Sequence, residues 1–416
     1  MKKLLYSIVI CLFLVPVDLS ALLIGSDLAV SLESFASFPE IYGINPNEIA
    51  SFAWMKNGFS LENSATELLF RSIYPVSGTV DFNGGTVTLG TDLIFQNVTT
   101  LNGLGVIIGD GHQLHFSSSI HTMPLDTHSF ENTHIFLDGN IVWNADVTFI
   151  GECSILGGNN LLMLGNNGVI HVKKDAIVHL KDINVMGISG EKINCADDSS
   201  LLMLENVGFN FDGFFTFTTG AITFKDFVEF LGTGTFFYDS PMTSTILMDT
   251  TWKLSDGLTL KMGRDPFTLA DPIYFTDPTS VLLLDNVDYL ATASGIQLTR
   301  GTIVFDRSVN LDTVSTGTER GMILGDGNPD HDINVRLSPG CSVIHNSGYW
   351  TYNNGNPDRI VSKSQTARLI RNEGSLVAVQ KSLSFPQQTL EIASSLVSPV
   401  AVSAGAVLSY DRTRIV

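Results

Sequence analysis

A stretch of eleven residues that begins with glycine and then alternates apolar with polar side chains occurs four times in this chain. The copies begin at Gly85, Gly139, Gly220 and Gly301. The second and third intervals between these starts are equal, and the first is two thirds as long, which predicts a repeat unit of about 27 residues. Apolar residues two apart are typical of β-strands, and a short strand unit buries its apolar face only against neighbouring copies. The sequence therefore predicts a β-solenoid.

The alternation of the copies also predicts which side chains point into the solenoid. We expect the four starting glycines to lie along one edge of the rod. The expected inward column is Ile141, Ile222 and Ile303, and the expected outward neighbours are Val142, Thr223 and Val304.

Short β-rich runs separated by Gly, Asn, Asp and Ser continue from Gly78 to about position 345. We assign 78–345 to about ten coils, which at a strand spacing of about 4.8 Å form a rod roughly 45–50 Å long. A second signature, Leu-Glu-Asn-Val at 204–207, has relatives at 180–183 and 284–287. Its Asn or Asp predicts a hydrogen-bonded ladder at a corner shared by successive coils.

Two helices are predicted before the first coil. Asn45-Pro46 and Glu48 form a helix start for residues 45–57, and Ser64 with Glu67 has capping-box spacing for a second helix that ends before Pro75. An open solenoid end exposes unpaired backbone groups, so we assign 22–77 as a small helical N-terminal cap. Residues 346–416, where basic residues outnumber acidic ones after 362, are assigned as a C-terminal cap or docking segment.

The segment 1–21 has the zones of a secretory signal: a basic start, the apolar run 4–17 and the small pair Ser20-Ala21. Cleavage after Ala21 is expected, with an uncleaved anchor as the alternative. We therefore expect a periplasmic, extracellular or cell-surface protein, with no transmembrane span in the mature chain.

The net charge restricts the expected partners, and the cysteine count restricts the expected disulfide bonds. The net charge of −19 repels phosphate backbones, so nucleic acid is not an expected partner. Outside the leader the chain has Cys153, Cys195 and Cys341, which do not make a disulfide framework. A Cys153–Cys195 bridge and three small apolar wall residues both remain open.

On these repeats, residues 78–345 resemble the right-handed parallel β-helix proteins of the pectin-lyase-like group, which includes polysaccharide lyases and bacterial surface passengers. Within that group the chain is most similar to the surface passengers, as at Thr219-Gly220-Ala221-Ile222, which partly matches their Gly-Gly-Ala-Ile motif. The resemblance implies an all-β fold and secretion. An appended outer-membrane barrel is not expected, since the residues after 362 are too few for one.

One loop has the spacing of a calcium site. Asp326, Asn328, Asp330 and Asp332 place oxygen ligands two residues apart, which is the spacing of a Ca²⁺ site. The expected fold requires no cofactor, and Ca²⁺ is the one candidate. The loop lacks the glycine and the closing glutamate of the helix-loop-helix pattern. A turn in which Asp326 tolerates left-handed backbone geometry is the alternative interpretation.

Two other groups of residues are interpreted as structural. Asp197-Asp198 is similar to the paired aspartates of galacturonan hydrolases, but the other motifs of those enzymes are absent, so we expect a solvated turn. Five histidines crowd one stretch without the spacing of a zinc site, so we expect an exposed excursion. These are His112, His115, His121, His128 and His134.

With no complete catalytic set, the expected function is a non-enzymatic structural or adhesion role in a secreted or cell-surface protein. A host or cell-surface protein or a glycan is the expected partner, and the oligomeric state stays open. The alternative function is a polysaccharide lyase or hydrolase, which would gather acidic and basic side chains on one lateral wall.

Overall fold

The structure is a computed structural model, and it describes parts of the chain between Gly58 and Asp411. The described residues are 58–61, 64–70, 76, 78–96, 100–117, 121–123, 128–262, 273–291, 296–313, 320–324, 331, 333–338 and the separate strands between 342 and 411. All regular elements among them are β-strands, and every strand pairing among them is parallel.

Each turn of the chain contributes three strands to three sides. After Thr86–Leu89 come Leu93–Gln96 and Thr100–Asn102, and then Gly105–Ile108 pairs back to the first of them. The first sheet consists of Glu67–Phe70, Thr86–Leu89, Gly105–Ile108, His128–Glu131, Val147–Ile150, Ile170–Val172 and Ile193–Cys195. A second side opens with the strands Gly58–Ser60, Thr79–Asp81, Thr100–Asn102, His121–Met123 and Ile141–Trp143. The third side opens with the strands Leu93–Gln96, Gln113–Ser117 and His134–Leu137.

In the following turns single long strands bend around a corner and serve two sides. Glu152–Leu164, for example, pairs with both His134–Leu137 and Ile141–Trp143. The other long strands are Ile177–Gly190, Leu201–Phe217, Ala221–Leu231, Val281–Ala291 and Gly301–Thr313. Shorter strands complete the array: Thr235–Tyr238, Ser244–Ile246, Thr251–Ser255, Thr259–Met262, Ile273–Phe275, Ile296–Leu298, Arg320–Leu324, Ile333–Leu337, Ser342–His345, Tyr349–Tyr352, Ile370–Asn372, Leu376–Val379, Leu383–Pro386, Leu390–Glu391, Val400–Val402 and Leu408–Asp411. The predicted all-β parallel solenoid of about ten coils is confirmed.

The second predicted helix is wrong. Glu67–Phe70 is a strand that pairs with Thr86–Leu89, and it buries Leu68 and Phe70 on one side. The backbone bonds and buried area offered by the adjacent turn outweigh the local capping-box preference. The first predicted helix, 45–57, lies outside the described residues. Parallel pairing continues past the second predicted domain limit, 345/346, since Leu376–Val379 still pairs with Ser342–His345.

The predicted direction of the repeat side chains is confirmed, but the single column is wrong. The three isoleucines are buried and their outward neighbours are only half-buried. Ile303 is in line with Leu282, Trp252 and Val228, whereas Ile222 lies six residues before Val228 in the same strand. Gly220 and Gly301 therefore stand at different corners.

The reason is that the turns have no fixed length. Glu67 pairs with Thr86 in a short turn, Trp252 pairs with Leu282 across a longer one, and Arg336 pairs with Arg371 across one nearly twice as long as the first. The predicted unit of constant length is therefore wrong, although the three-sided turn persists. The core stays continuous because register is set by strand pairing, as in the column Leu180, Leu204 and Phe224.

Candidate functional site

The calcium loop lies outside the described residues. Asp326, Asn328, Asp330 and Asp332 precede the strand Ile333–Leu337, which pairs with Gly301–Phe305. Calcium binding there stays a prediction. Among the residues that the structure does describe, no three metal-ligating side chains gather in one place.

The structure places Asp197 in a turn. Its Oδ1 accepts hydrogen bonds from the backbone N–H of Ser199 at 2.9 Å and from the Ser199 hydroxyl at 2.5 Å. These bonds, with Lys174 3.7 Å away, lower the pKa of Asp197. Asp277 makes the same contacts with Thr279. The turn interpretation of the pair is therefore confirmed, because the same contacts recur at another corner.

The described histidines of the crowded stretch do not converge on one point. His115 stacks on Phe136 with ring centroids 4.8 Å apart, and His134 Nδ1 lies 2.8 Å from the Ser154 hydroxyl. His128 is fully buried, with its ring edge-on to Phe82. The predicted exposed excursion is wrong for the described histidines, because His115, His121, His128 and His134 all lie in paired strands of the solenoid and His128 faces the core.

The most elaborate ionic arrangement links three successive turns. Lys181, Glu205 and Lys225 are in register in adjacent strands at one corner, and we call them the Glu205 ladder. The Lys225 Nζ lies 2.8 Å from Glu205 Oε2, Lys181 binds Oε1, and His179 Nε2 lies 3.0 Å from Oε2. The Glu205 side chain is only 5% exposed. A buried carboxylate is thus held by cations from the turns on both sides.

The ladder holds Glu205 ionised. Burial raises the pKa of Glu205, but the hydrogen bonds and charges of Lys181 and Lys225 outweigh it and bring the pKa to about 2. Burial lowers the pKa of His179 against the opposing effect of Glu205. A carboxylate with so low a pKa does not donate protons near neutral pH, so the ladder suits the stacking of turns rather than acid catalysis.

The corner behind the ladder explains why these side chains align. Asp182, Asn206 and Asp226 follow the three ladder residues with positive φ values of 50°, 54° and 58°, which Asn and Asp tolerate better than most residues. Asn206 Nδ2 donates to Asp182 Oδ1 at 2.7 Å, so the predicted corner ladder is confirmed there. The similar 284–287 signature lies at another corner, in line with Ser255 and Asp306.

A second ionic cluster joins the following turns. Lys253 Nζ lies 2.9 Å from Glu229 Oε1 and 3.5 Å from Asp285 Oδ2, and Arg307 Nε binds Asp285 Oδ1. Burial raises the pKa of Asp285, but Arg307 and Lys253 outweigh it and the pKa is lowered. The chemistry of the Glu205 ladder is thus repeated further along the rod.

Most phenylalanines between Phe209 and Phe237 form the predicted internal stack. Phe230, for example, is fully buried, with its ring centroid 5.2 Å from Phe209 and 5.4 Å from Trp252. Phe214 and Phe227 are instead exposed, and Phe237 is half-buried. The signal in the sequence is adjacency: in Phe214-Phe215 and Phe236-Phe237 alternation forces one ring of each pair outward.

The two cysteines in the described part behave as wall residues. Cys153 and Cys195 are buried free thiols, which confirms the apolar interpretation for both. Burial raises the pKa of Cys153, and it raises the pKa of Cys195 to about 12. Neither thiol is therefore an activated nucleophile.

Comparison of the chain with models of protein families, with curated protein sequences and with solved structures gives no match. The described residues include no helical segment with the length and apolar character that a membrane crossing requires.

Proposed function

We propose that this chain is a secreted or cell-surface β-solenoid with a structural or adhesion role. The observation that carries the proposal is that the most deeply buried carboxylates bind cations from neighbouring turns. Glu205 and Asp285 are each bound by cations from adjacent turns, so their charge stabilises the stack. A rod built in this way presents long lateral sheet surfaces, which suit binding to an extended partner.

The proposed partner is a host or cell-surface protein or a glycan. Surface location follows in this proposal from the leader-like start, with its basic residues, apolar run and Ser20-Ala21. Adhesion is favoured over catalysis because the best-buried lateral charges that the structure describes are paired between turns along the rod axis.

Export is tested first, with an epitope tag at the C-terminus and the full chain expressed in a bacterial host. We expect tagged protein outside the cytoplasm, with an N-terminus that begins at Leu22. The control is a deletion of residues 4–17, which removes the apolar run and should leave the protein in the cytoplasm. An intact N-terminus on cytoplasmic protein from the full chain would contradict secretion.

Function is tested with the purified protein in two assays, one for binding to cell surfaces and one for cleavage of polysaccharides. Beads coated with the protein should bind cell surfaces more than beads coated with heat-unfolded protein. In parallel, acidic polysaccharides are incubated with the protein and analysed for reducing or unsaturated ends. Clear turnover would replace the adhesion proposal by a polysaccharide lyase or hydrolase.

A further inference from the structure

Two phenylalanines and a lysine lie together on the outer surface of three successive turns. Phe214 is 54% exposed, and its ring centroid lies 6.3 Å from that of Phe237. The Lys261 Nζ lies 3.9 Å from the Phe237 centroid and 5.9 Å from the Phe214 centroid. Phe237 and Lys261 are directly paired in adjacent strands. We call these three residues the aromatic patch.

The patch is flanked by one charge of each sign, those of Lys261 and Asp239. Lys261 makes no ion pair with any described residue, and the Asp239 carboxylate, two residues after Phe237, has no hydrogen-bond or ion-pair partner among them. Burial raises the pKa of Asp239, against the smaller effect of Lys261. The contrast with Glu205 is direct, because that carboxylate is bound on both sides.

A surface with an apolar centre and one charge of each sign can pair with itself. In a two-fold contact the same patch serves both chains, so every attraction occurs twice. If the rods lie antiparallel with the axis between the turns of Phe237 and Lys261, each Lys261 faces the turn of the second copy that carries Phe237 and Asp239. We propose that the aromatic patch is the contact surface of a dimer of this chain.

The size of this side indicates a weak dimer. Five described strands pair in sequence across it, ending with Val281–Ala291 and Gly301–Thr313. At about 4.8 Å per strand and about 13 Å for a four-residue strand, they offer roughly 300 Å² per chain, which is below the range of stable specific interfaces. The net charge of −19 opposes association, so added salt should strengthen the dimer.

The test is sedimentation equilibrium of the purified protein over a range of concentrations in low and high salt. We expect the mass to rise from that of one chain, 45.1 kDa, toward twice that value. Phe214→Ser should weaken association about tenfold, as loss of an aromatic anchor does. Met248→Ser is the matched control, because Met248 is an exposed apolar residue, 62% accessible, outside the patch.

Charge reversal provides a second and independent test. Lys261→Glu should weaken association, and Lys261→Glu combined with Asp239→Lys should restore it to within about threefold of the wild type. Circular dichroism establishes that each variant is folded. The proposal is overturned if the wild type is monomeric at every concentration in high salt, or if Met248→Ser weakens association as much as Phe214→Ser.

Discussion

The early turns and the central turns of the solenoid contact their neighbours through different pairs of polar side chains. Between residues 86 and 172 the described contacts join histidine to aspartate, as in His115–Asp138 and His171–Asp146, both at 3.6 Å. Between 177 and 307 they include lysine or arginine with carboxylates, as in the Glu205 ladder. The difference follows burial. Asp138 is 50% exposed and water solvates it, whereas Glu205 requires permanent cations to remain ionised.

The largest expected effect is the loss of stability when Glu205 is removed, compared with the loss when Asp138 is removed. Glu205→Ala leaves two lysines facing each other and should cost about 3 kcal/mol of unfolding free energy, the low end for breaking a buried pair. Asp138→Ala should cost less than about 0.5 kcal/mol, as for exposed pairs. Hydrogen exchange of amides in the adjoining strands measures both changes locally. Equal losses at the two positions would break the comparison.

Acid should weaken the central turns through the same carboxylate. Because the folded-state pKa of Glu205 is about 2, below its ordinary value, its contribution is present above the unfolded-state pKa and is lost as the pH falls toward 2. About 2 kcal/mol should be lost between pH 7 and pH 3. The measurement is urea unfolding of wild type and Glu205→Gln across that range. A stability difference between them that does not shrink in acid would contradict the assignment.

Added calcium tests whether the chain beyond residue 324 is stabilised by a bound metal ion, in addition to the side-chain contacts of the two regions compared above. If Asp326, Asn328, Asp330 and Asp332 bind Ca²⁺, calcium at tenfold its Kd should stabilise the protein by about 1.4 kcal/mol. Thermal melts in calcium and in chelator measure this, and Asp330→Ala should abolish the rise in Tm. Identical wild-type melting temperatures in the two buffers would leave only the turn interpretation.

A smaller effect than that of removing Glu205 is expected at a corner, where both regions place Asn or Asp residues at positive φ. Asn206→Ala removes the hydrogen bond to Asp182 and places alanine at φ 54°, so we expect a loss of about 1 kcal/mol. Asn206→Gly removes the bond but tolerates the backbone, so it should recover part of the loss. Chemical denaturation compares the three proteins, and a glycine variant less stable than the alanine variant would argue against backbone strain.

The fold class could be predicted from the sequence because strand alternation is local. Alternation predicts correctly that Ile141, Ile222 and Ile303 point inward, yet their alignment in one column is wrong. Equal spacing in the sequence does not mean equal turn length, because register is decided by pairing across turns of different lengths. For the same reason the sequence predicts a helix where Glu67–Phe70 is a strand, since only pairing with the neighbouring turn makes that strand favourable.

The ionic sites are hidden from the sequence for a related reason. Lys181, Glu205 and Lys225 come from three different turns, and no spacing rule connects them until their strands are in register. The exposed rings are more accessible to prediction, because strand alternation points one of two adjacent phenylalanines outward. Prediction from sequence is therefore strongest for the direction of a side chain and weakest for its partner in the next turn.

Variable turn length has an evolutionary consequence. The segment 263–272 separates Met262 from Ile273, yet both flanking strands keep their parallel partners. Residues gained or lost between two such strands leave the rise per turn unchanged, since that rise is fixed by strand spacing. Insertions and deletions between strands can therefore accumulate without changing the length of the rod, so the two properties can diverge at different rates.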